Sequence, residues 1–159
     1  MARIKTKDAD EIEIMRKAGR IVARALDLVK NEARPGVTTD ELDRQVEELI
    51  LEHDATPAFK GYQGFPRSAC TSLNEQVVHG IPGDRTLEDG DLLSVDIGSF
   101  VDGYAGDAAV TVQVGECTEE AAALCRATRK ALQAAIDVIE PGIRVSDISR
   151  AVQGVVEDC

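Results

Sequence analysis

Helix, Pro-Gly turn, helix occurs twice in this sequence, and that repeat constrains the fold more than any other feature. A shift of 106 residues lays Pro35-Gly36 on Pro141-Gly142, Ala25-Leu26 on Ala131-Leu132, Arg44 on Arg150 and Val46 on Val152. Val37 then meets Ile143, Glu41 meets Asp147 and Leu42 meets Ile148. Such a period marks a duplicated unit; the alternative is chance agreement between two helix pairs. The first copy continues through loops and strands from Asp54 to Val114, whereas the second has only its helices before Cys159. Equivalent halves would need on the order of 80–100 further residues. The expectation is an N-terminal piece of a longer protein, with a first half-repeat over about 8–115 and the start of a second over 116–159. The other reading is a whole protein whose edge strands find a partner.

Each copy is legible in detail. Ile12, Met15, Ala18, Ile21, Ala25, Leu26 and Val29 recur at helical spacing, and Asp8 with Glu11 reads as a capping pair. The first helix is predicted to run to about Lys30. Thr38 and Glu41 form a second capping box before a face of Leu42, Val46, Leu49 and Ile50. A third helix is predicted from Thr118 to about Ile139, and a fourth after Ser146 as its cap. Between the copies, 57–82 is rich in glycine, proline and aromatics and reads as loops and short strands. Leu87 to Val114 reads as extended chain, with Asp102-Gly103 as a two-residue hairpin turn.

Composition excludes several classes. The 159 residues are 43% hydrophobic, ordinary for a globular domain, and contain no apolar run long enough to span a bilayer. Met1-Ala2-Arg3-Ile4-Lys5 lacks the apolar core of a secretory signal, so the expected compartment is the cytoplasm. A net charge of −11 argues against nucleic acid and anionic membrane surfaces as partners. It suits a bound cation. Cys70, Cys117, Cys125 and Cys159 form no C-x-x-C pair, so buried thiols are expected rather than a structural zinc site.

The hairpin permits a geometric argument. With Asp102-Gly103 as the turn, residue 101 faces 104 and 96 faces 109, so Asp96 and Asp107 project from one side of the ribbon. A carboxylate within Leu92-Leu93-Ser94-Val95-Asp96-Ile97 faces a desolvation cost, and a second on the same face repels it. A divalent cation between them removes both penalties. The plain alternative is that one Asp caps a strand end and the other is solvated. His79, in Val77-Val78-His79-Gly80-Ile81-Pro82, is either a packed core histidine or a proton carrier beside a substrate. Phe59, Tyr62 and Phe65 cluster among glycines, as a pocket wall or as a small core under a loop. His53, ending a polar helix, reads as a surface residue.

These segments together resemble type I methionine aminopeptidases. The resemblance lies in Ile4-Lys5-Thr6, Glu13-Ile14-Met15-Arg16-Lys17-Ala18-Gly19, Pro35-Gly36-Val37-Thr38-Thr39-Asp40-Glu41-Leu42-Asp43 and Gly61-Tyr62-Gln63-Gly64-Phe65-Pro66. It continues through Cys70-Thr71-Ser72-Leu73-Asn74-Glu75, the His79 segment, Val95-Asp96-Ile97-Gly98 and Gly103-Tyr104-Ala105-Gly106-Asp107. It implies an α+β pita-bread fold of two pseudo-symmetric halves, here with the second half incomplete. It also implies removal of the initiator methionine from nascent proteins by a hydroxide activated at two divalent metals, whether cobalt, manganese, iron or zinc. Asp96 and Asp107 would be metal ligands, and His79 would be catalytic and would touch the substrate. Phe59, Tyr62, Phe65 and Cys70 would line the methionine pocket. Contact with the ribosome is left open. Gln63 and Ala105 stand where many members of the family carry histidine. The family's remaining His and two Glu ligands have no counterpart here, since no histidine follows His79. The resemblance therefore implies a chain inactive as a monomer and prone to self-association. A proline-specific peptidase of the same fold and a non-catalytic interaction module remain as alternatives.

Overall fold

The computed structural model describes residues 5–157. Ile4 of the opening motif and the Cys159 thiol lie outside the described residues. The chain divides into two compact units, one up to Glu116 and one from Cys117.

The first unit packs two helices on an antiparallel sheet. Helix α1 spans Ala9–Glu32 and α2 spans Thr39–Glu52. Both begin with a complete capping box, Asp8 with Glu11 and Thr38 with Glu41, as the sequence predicts. Strand β1 is Thr56–Pro57, β2 is Ala69–Leu73, β3 is Leu92–Val101 and β4 is Tyr104–Gln113. The long strand β3 pairs with β4 along one edge and with both β1 and β2 along the other. Asp102 and Gly103 take φ of 47° and 81°, the left-handed pair that a tight two-residue hairpin turn needs. Val101 consequently faces Tyr104, and Asp96 faces Ala109.

Alternation then sorts the sheet into two faces. Leu93, Val95, Ile97, Ser99 and Val101 of β3 are buried. Together with Ile21, Val22, Ala25, Val29, Leu42, Val46 and Ile50 of the helices, its apolar members form the core. Ser99 Oγ donates to the Ala18 carbonyl at 3.2 Å, tying α1 to the sheet. The opposite face carries Asp96, Gly98 and Phe100.

One core group is unsatisfied. Thr71 in β2 is 3% exposed, and its hydroxyl has no partner among the described residues. Thr71→Val keeps the shape and removes the orphaned oxygen, so it should raise stability by up to about 1 kcal/mol. A higher thermal midpoint checks this; a lower one would show that the hydroxyl is satisfied after all.

Tyr104 ties the hairpin to the start of α1. Its hydroxyl donates to Glu11 Oε1 at 2.6 Å. That bond, with the Asp8 N–H, holds the Glu11 carboxyl below its ordinary value. A depressed acid adds stability above the ordinary value of 4.5 and loses it as pH falls through the lowered folded one. Glu11→Gln should therefore lower the melting midpoint at pH 7, and the gap should close on acidification. A gap that persists in strong acid would assign the effect to packing instead.

The second unit holds α3, Glu119–Asp137, and α4, Val145–Glu157. Helix α3 begins where the sequence places it, with Thr118 as its cap. Ser146 does not cap α4: it lies inside the helix, and Asp147 instead accepts from the Arg144 N–H at 2.8 Å. That bond matches, 106 residues on, the one from the Thr38 N–H to Glu41 at 2.8 Å. The Pro-Gly turns match too, with Val37 N–H to Arg34 at 3.2 Å and Ile143 N–H to Glu140 at 3.4 Å. Gly36 and Gly142 both have positive φ, 93° and 104°.

Two further expectations need correction. His53 is half-buried: Nδ1 bonds the Leu49 carbonyl at 2.8 Å and Nε2 lies 2.6 Å from Arg24 Nη1, so it joins α2 to α1. Of the described cysteines only Cys70 is buried; Cys117 and Cys125 are half-buried. His53 and Cys117 lie at or just outside helix ends, where burial depends on neighbours that periodicity does not reveal.

Candidate metal centre and its adjoining cavity

The face of the sheet away from the helices is covered by an arc of chain. From Ala58 it turns through Gly61, with φ of 87°, a short 3-10 turn at Tyr62–Gly64, and Phe65, and returns into β2. Gln63 also takes a positive φ, 48°, which is unusual for a side-chain-bearing residue. A Cβ on Gly98 would lie 2.8 Å from the Phe59 ring and 2.9 Å from the Ala58 Cβ, so only glycine lets the arc approach β3 this closely.

Between arc and sheet lies a cavity of about 460 Å³. Phe59, Tyr62, Phe65, Cys70, His79 and Asp96 all line it, with Gln63 and Ile81. Six of the seven residues singled out in the sequence thus share one space. The aromatics form its wall, not a small closed core: Tyr62 is 67% exposed.

His79 is exposed and has φ of 59°, which excludes the packed-core reading. Its segment is strapped to β2. The Gly80 N–H donates to Ser72 Oγ at 3.1 Å and the Thr71 N–H to the Gly80 carbonyl at 2.8 Å. No Cβ fits at Gly80, because it would lie 2.1 Å from the Thr71 carbonyl oxygen. Backbone strain held this way beside a cavity is a mark of a functional position.

Asp96 stands directly opposite Cys70 on β2. Asp107 is exposed, stands opposite Gly98, and is diagonal to Asp96 on the same face of the ribbon. It does not line the cavity. Burial pushes the Asp96 carboxyl above its ordinary value; the Asp107 charge pushes the same way and His79 opposes. Burial chiefly, and then the charges of Asp96, Asp107 and Asp43, push the Cys70 thiol up to about 11. Without a cation beside it, Cys70 is therefore a neutral, apolar wall near pH 7.

A divalent cation fits this donor set in part. Two hard oxygens on one face, one of them half-buried and repelled by the other, are relieved by a positive charge between them. Among the described residues, no group of three or more His, Cys, Asp and Glu side chains is placed to hold a metal. Asp96 and Asp107 are thus a partial set.

The model of metallopeptidase family M24 matches residues 13–159. The chain belongs to this family. It is 48% identical to a methionine aminopeptidase of Clostridium acetobutylicum over 152 residues, 95% of this chain and 61% of that protein. It is 45% identical to methionine aminopeptidase 1 of Bacillus subtilis, again over 61% of the relative. The methionine aminopeptidase structure from Thermotoga maritima superposes with a TM-score of 0.96 at 44% identity, covering 98% of this chain and 63% of that one. The prolidase of Pyrococcus furiosus shares the fold, with a TM-score of 0.85 at 24% identity. The M24 chain has the α+β pita-bread fold and spans about three fifths of the length of the curated relatives it matches.

The one feature that sequence reasoning missed is how the arc is held. Asp43 is only 2% exposed and accepts from the main-chain N–H groups of Ser68 and Ala69 at 2.9 and 2.8 Å. Nothing in the residues beside it marks this role, because its partners are 25 and 26 residues away.

Proposed function

We propose that this chain supplies the substrate cavity and two metal ligands of a metalloaminopeptidase that removes the initiator methionine from nascent proteins. The observation that carries this reading is the apolar cavity of aromatic walls with Asp96 and His79 at its edge. Its volume lies in the ordinary range for small-ligand sites and has room for an apolar side chain with its adjoining peptide unit.

The residues divide the work as follows. Phe59, Tyr62, Phe65 and Cys70 take the methionine side chain and exclude water from it. Asp96 and Asp107 would hold divalent metal, whether cobalt, manganese, iron or zinc, and bound metal would supply Lewis acidity at the scissile peptide. His79 donates a hydrogen bond to the peptide carbonyl oxygen, where negative charge grows during attack. Gln63, on the rim, meets the residue after methionine. The substrate on this reading is the N-terminus of a nascent peptide in the cytoplasm. No helix among the described residues is long and apolar enough to cross a membrane.

The second unit is read as the start of a second half-repeat. Leu132 falls 106 residues after Leu26, yet Leu26 is 8% exposed and Leu132 is 60%. This contrast supports a longer protein, or a second copy, covering the apolar side of α3. A self-associating monomer without activity follows, because a partial ligand set binds metal weakly.

A non-catalytic module is the second reading, and the absence of a three-donor group among the described residues favours it. The test is methionine release from a Met-Ala-Ser peptide with manganese or cobalt. Release by a longer protein containing this chain, and none by the chain alone, is the expected result. No release by either would establish the module.

A further inference from the structure

The arc that walls the cavity is tied at both ends to one side of α2. Asp40, Asp43 and Glu47 follow one another at helical spacings of three and four, and so share a face. At the near end, Lys60 Nζ donates to both Glu47 carboxylate oxygens, at 2.6 and 2.8 Å. At the far end, Ser68 Oγ donates to Glu47 Oε2 at 2.9 Å, and Arg67 pairs with Asp40 at 2.6 Å. Asp43 Oδ1 takes the Ser68 and Ala69 N–H groups, while its other oxygen lies 3.9 Å from Arg67. The wall residues from Tyr62 to Pro66 all lie between these anchors.

A nearly fully buried carboxylate is an expensive way to fill a helix–sheet contact, since an aliphatic residue would pack there without desolvation. Burial indeed raises the Asp43 carboxyl above its ordinary value, against the pull of the two N–H groups. What the carboxylate adds is position. One oxygen fixes two consecutive main-chain groups just before Cys70, the residue opposite Asp96.

We propose that Asp43 and Glu47 are positioning residues that set the width of the cavity, and through it the preference for a slender side chain over a bulky one. This rests on reading the cavity as the seat of a peptide's first side chain. Neither residue touches substrate.

The test is amide hydrogen exchange on the 159-residue chain, joined to chemical-shift mapping with methioninamide and phenylalaninamide. In Asp43→Ala, exchange should speed at least tenfold at Ser68 and Ala69, and at Gly61 and Phe65, whose N–H groups close the arc on itself. Leu93 and Val95 in β3 should keep their protection. Asp43→Asn, which retains an acceptor oxygen, should restore Ser68 and Ala69. The preference of wild type for methioninamide should shrink in the alanine variant and return in the asparagine variant. If Asp43→Ala does not fold, Glu47→Gln with Lys60→Met carries the same test, with faster exchange confined to 60–68. A uniform rise in exchange, or no rise in the arc, overturns the proposal. So does a loosened arc with selectivity intact, and that result leaves the cavity reading standing. Wild type that binds neither amide fells the cavity reading instead, and reduces the α2 carboxylates to a structural brace.

Discussion

Either Asp96→Ala or Asp107→Ala should cut metal-dependent methionine release at least about a thousandfold, in whichever form of the protein shows it. That factor is about 4 kcal/mol of lost transition-state stabilisation, the scale of what a bound metal supplies to a developing charge. The two positions should also be unequal without metal. Asp96 is half-buried and faces the Asp107 charge, so Asp96→Asn relieves repulsion. In chelator it should raise the thermal midpoint by about 1–3 °C, the equivalent of up to roughly 1 kcal/mol after solvent screening. Asp107 is exposed, so Asp107→Asn relieves only the shared repulsion and not the larger cost of burying the Asp96 charge, and should raise that midpoint less. Added manganese should stabilise wild type and neither variant. Thermal melting with and without manganese checks these stability differences in the 159-residue chain, and methionine release checks the rates in the form that shows activity. A destabilised Asp96→Asn would show that the carboxylate belongs to the fold and not to a metal.

Gly106→Ala should do the greatest damage to the fold. A Cβ there would lie 2.5 Å from both the Ala18 carbonyl carbon and the Gly19 nitrogen. These are main-chain atoms of α1, which cannot rotate aside as a side chain would. The helix is also held by Ser99 at Ala18 and by buried Ile21, Val22, Ala25 and Val29. Overpacking against backbone should cost about 3 kcal/mol or more. In a chain of this size that lowers the thermal midpoint by roughly 6–12 °C. Gly98→Ala makes the sharper comparison. Its nearest neighbours are the Phe59 ring and the Ala58 methyl, at the end of a movable arc. It should cost less stability and shrink the cavity, so weaker methioninamide binding with a smaller loss in melting is the expected pattern. Equal losses at Gly98 and Gly106 would show that the arc is as rigid as the helix.

The parts of the fold that the sequence announces are those fixed by neighbours along the chain. Capping boxes at Asp8 and Thr38 and the Asp102-Gly103 turn are local chemistry, and both helices and the hairpin register follow from them. Once the register is known, alternation places Asp96 and Asp107 on one face. The cavity is different. Its aromatic arc depends on left-handed Gly61 and Gln63 and on the missing side chain of Gly98, none of which has a period. Spacing alone therefore does not decide between wall and core for Phe59, Tyr62 and Phe65. His79 is undecided for the same reason, since its exposure is set by Gly80 docking on β2. Asp43 gave no local sign, because its partners are 25 and 26 residues away. Gly98 in β3 and Gly106 in β4 are a usable signal: glycine inside a strand marks close approach, and these two mark it on opposite faces.

The two-residue turn at Asp102-Gly103 bears on how genes of this kind should be sorted. Because faces alternate with every residue, deleting any one position between Gly103 and Asp107 carries the second carboxylate to the helix side of the ribbon, where Gly106 now meets Ala18. Such a gene loses one residue of the 103–107 segment but keeps both aspartates, the other signature segments and nearly all of its identity to the family. A length change in this stretch is thus a better marker of a decayed metal centre than an overall similarity score, and a conservative exchange of the aspartate itself is the milder lesion.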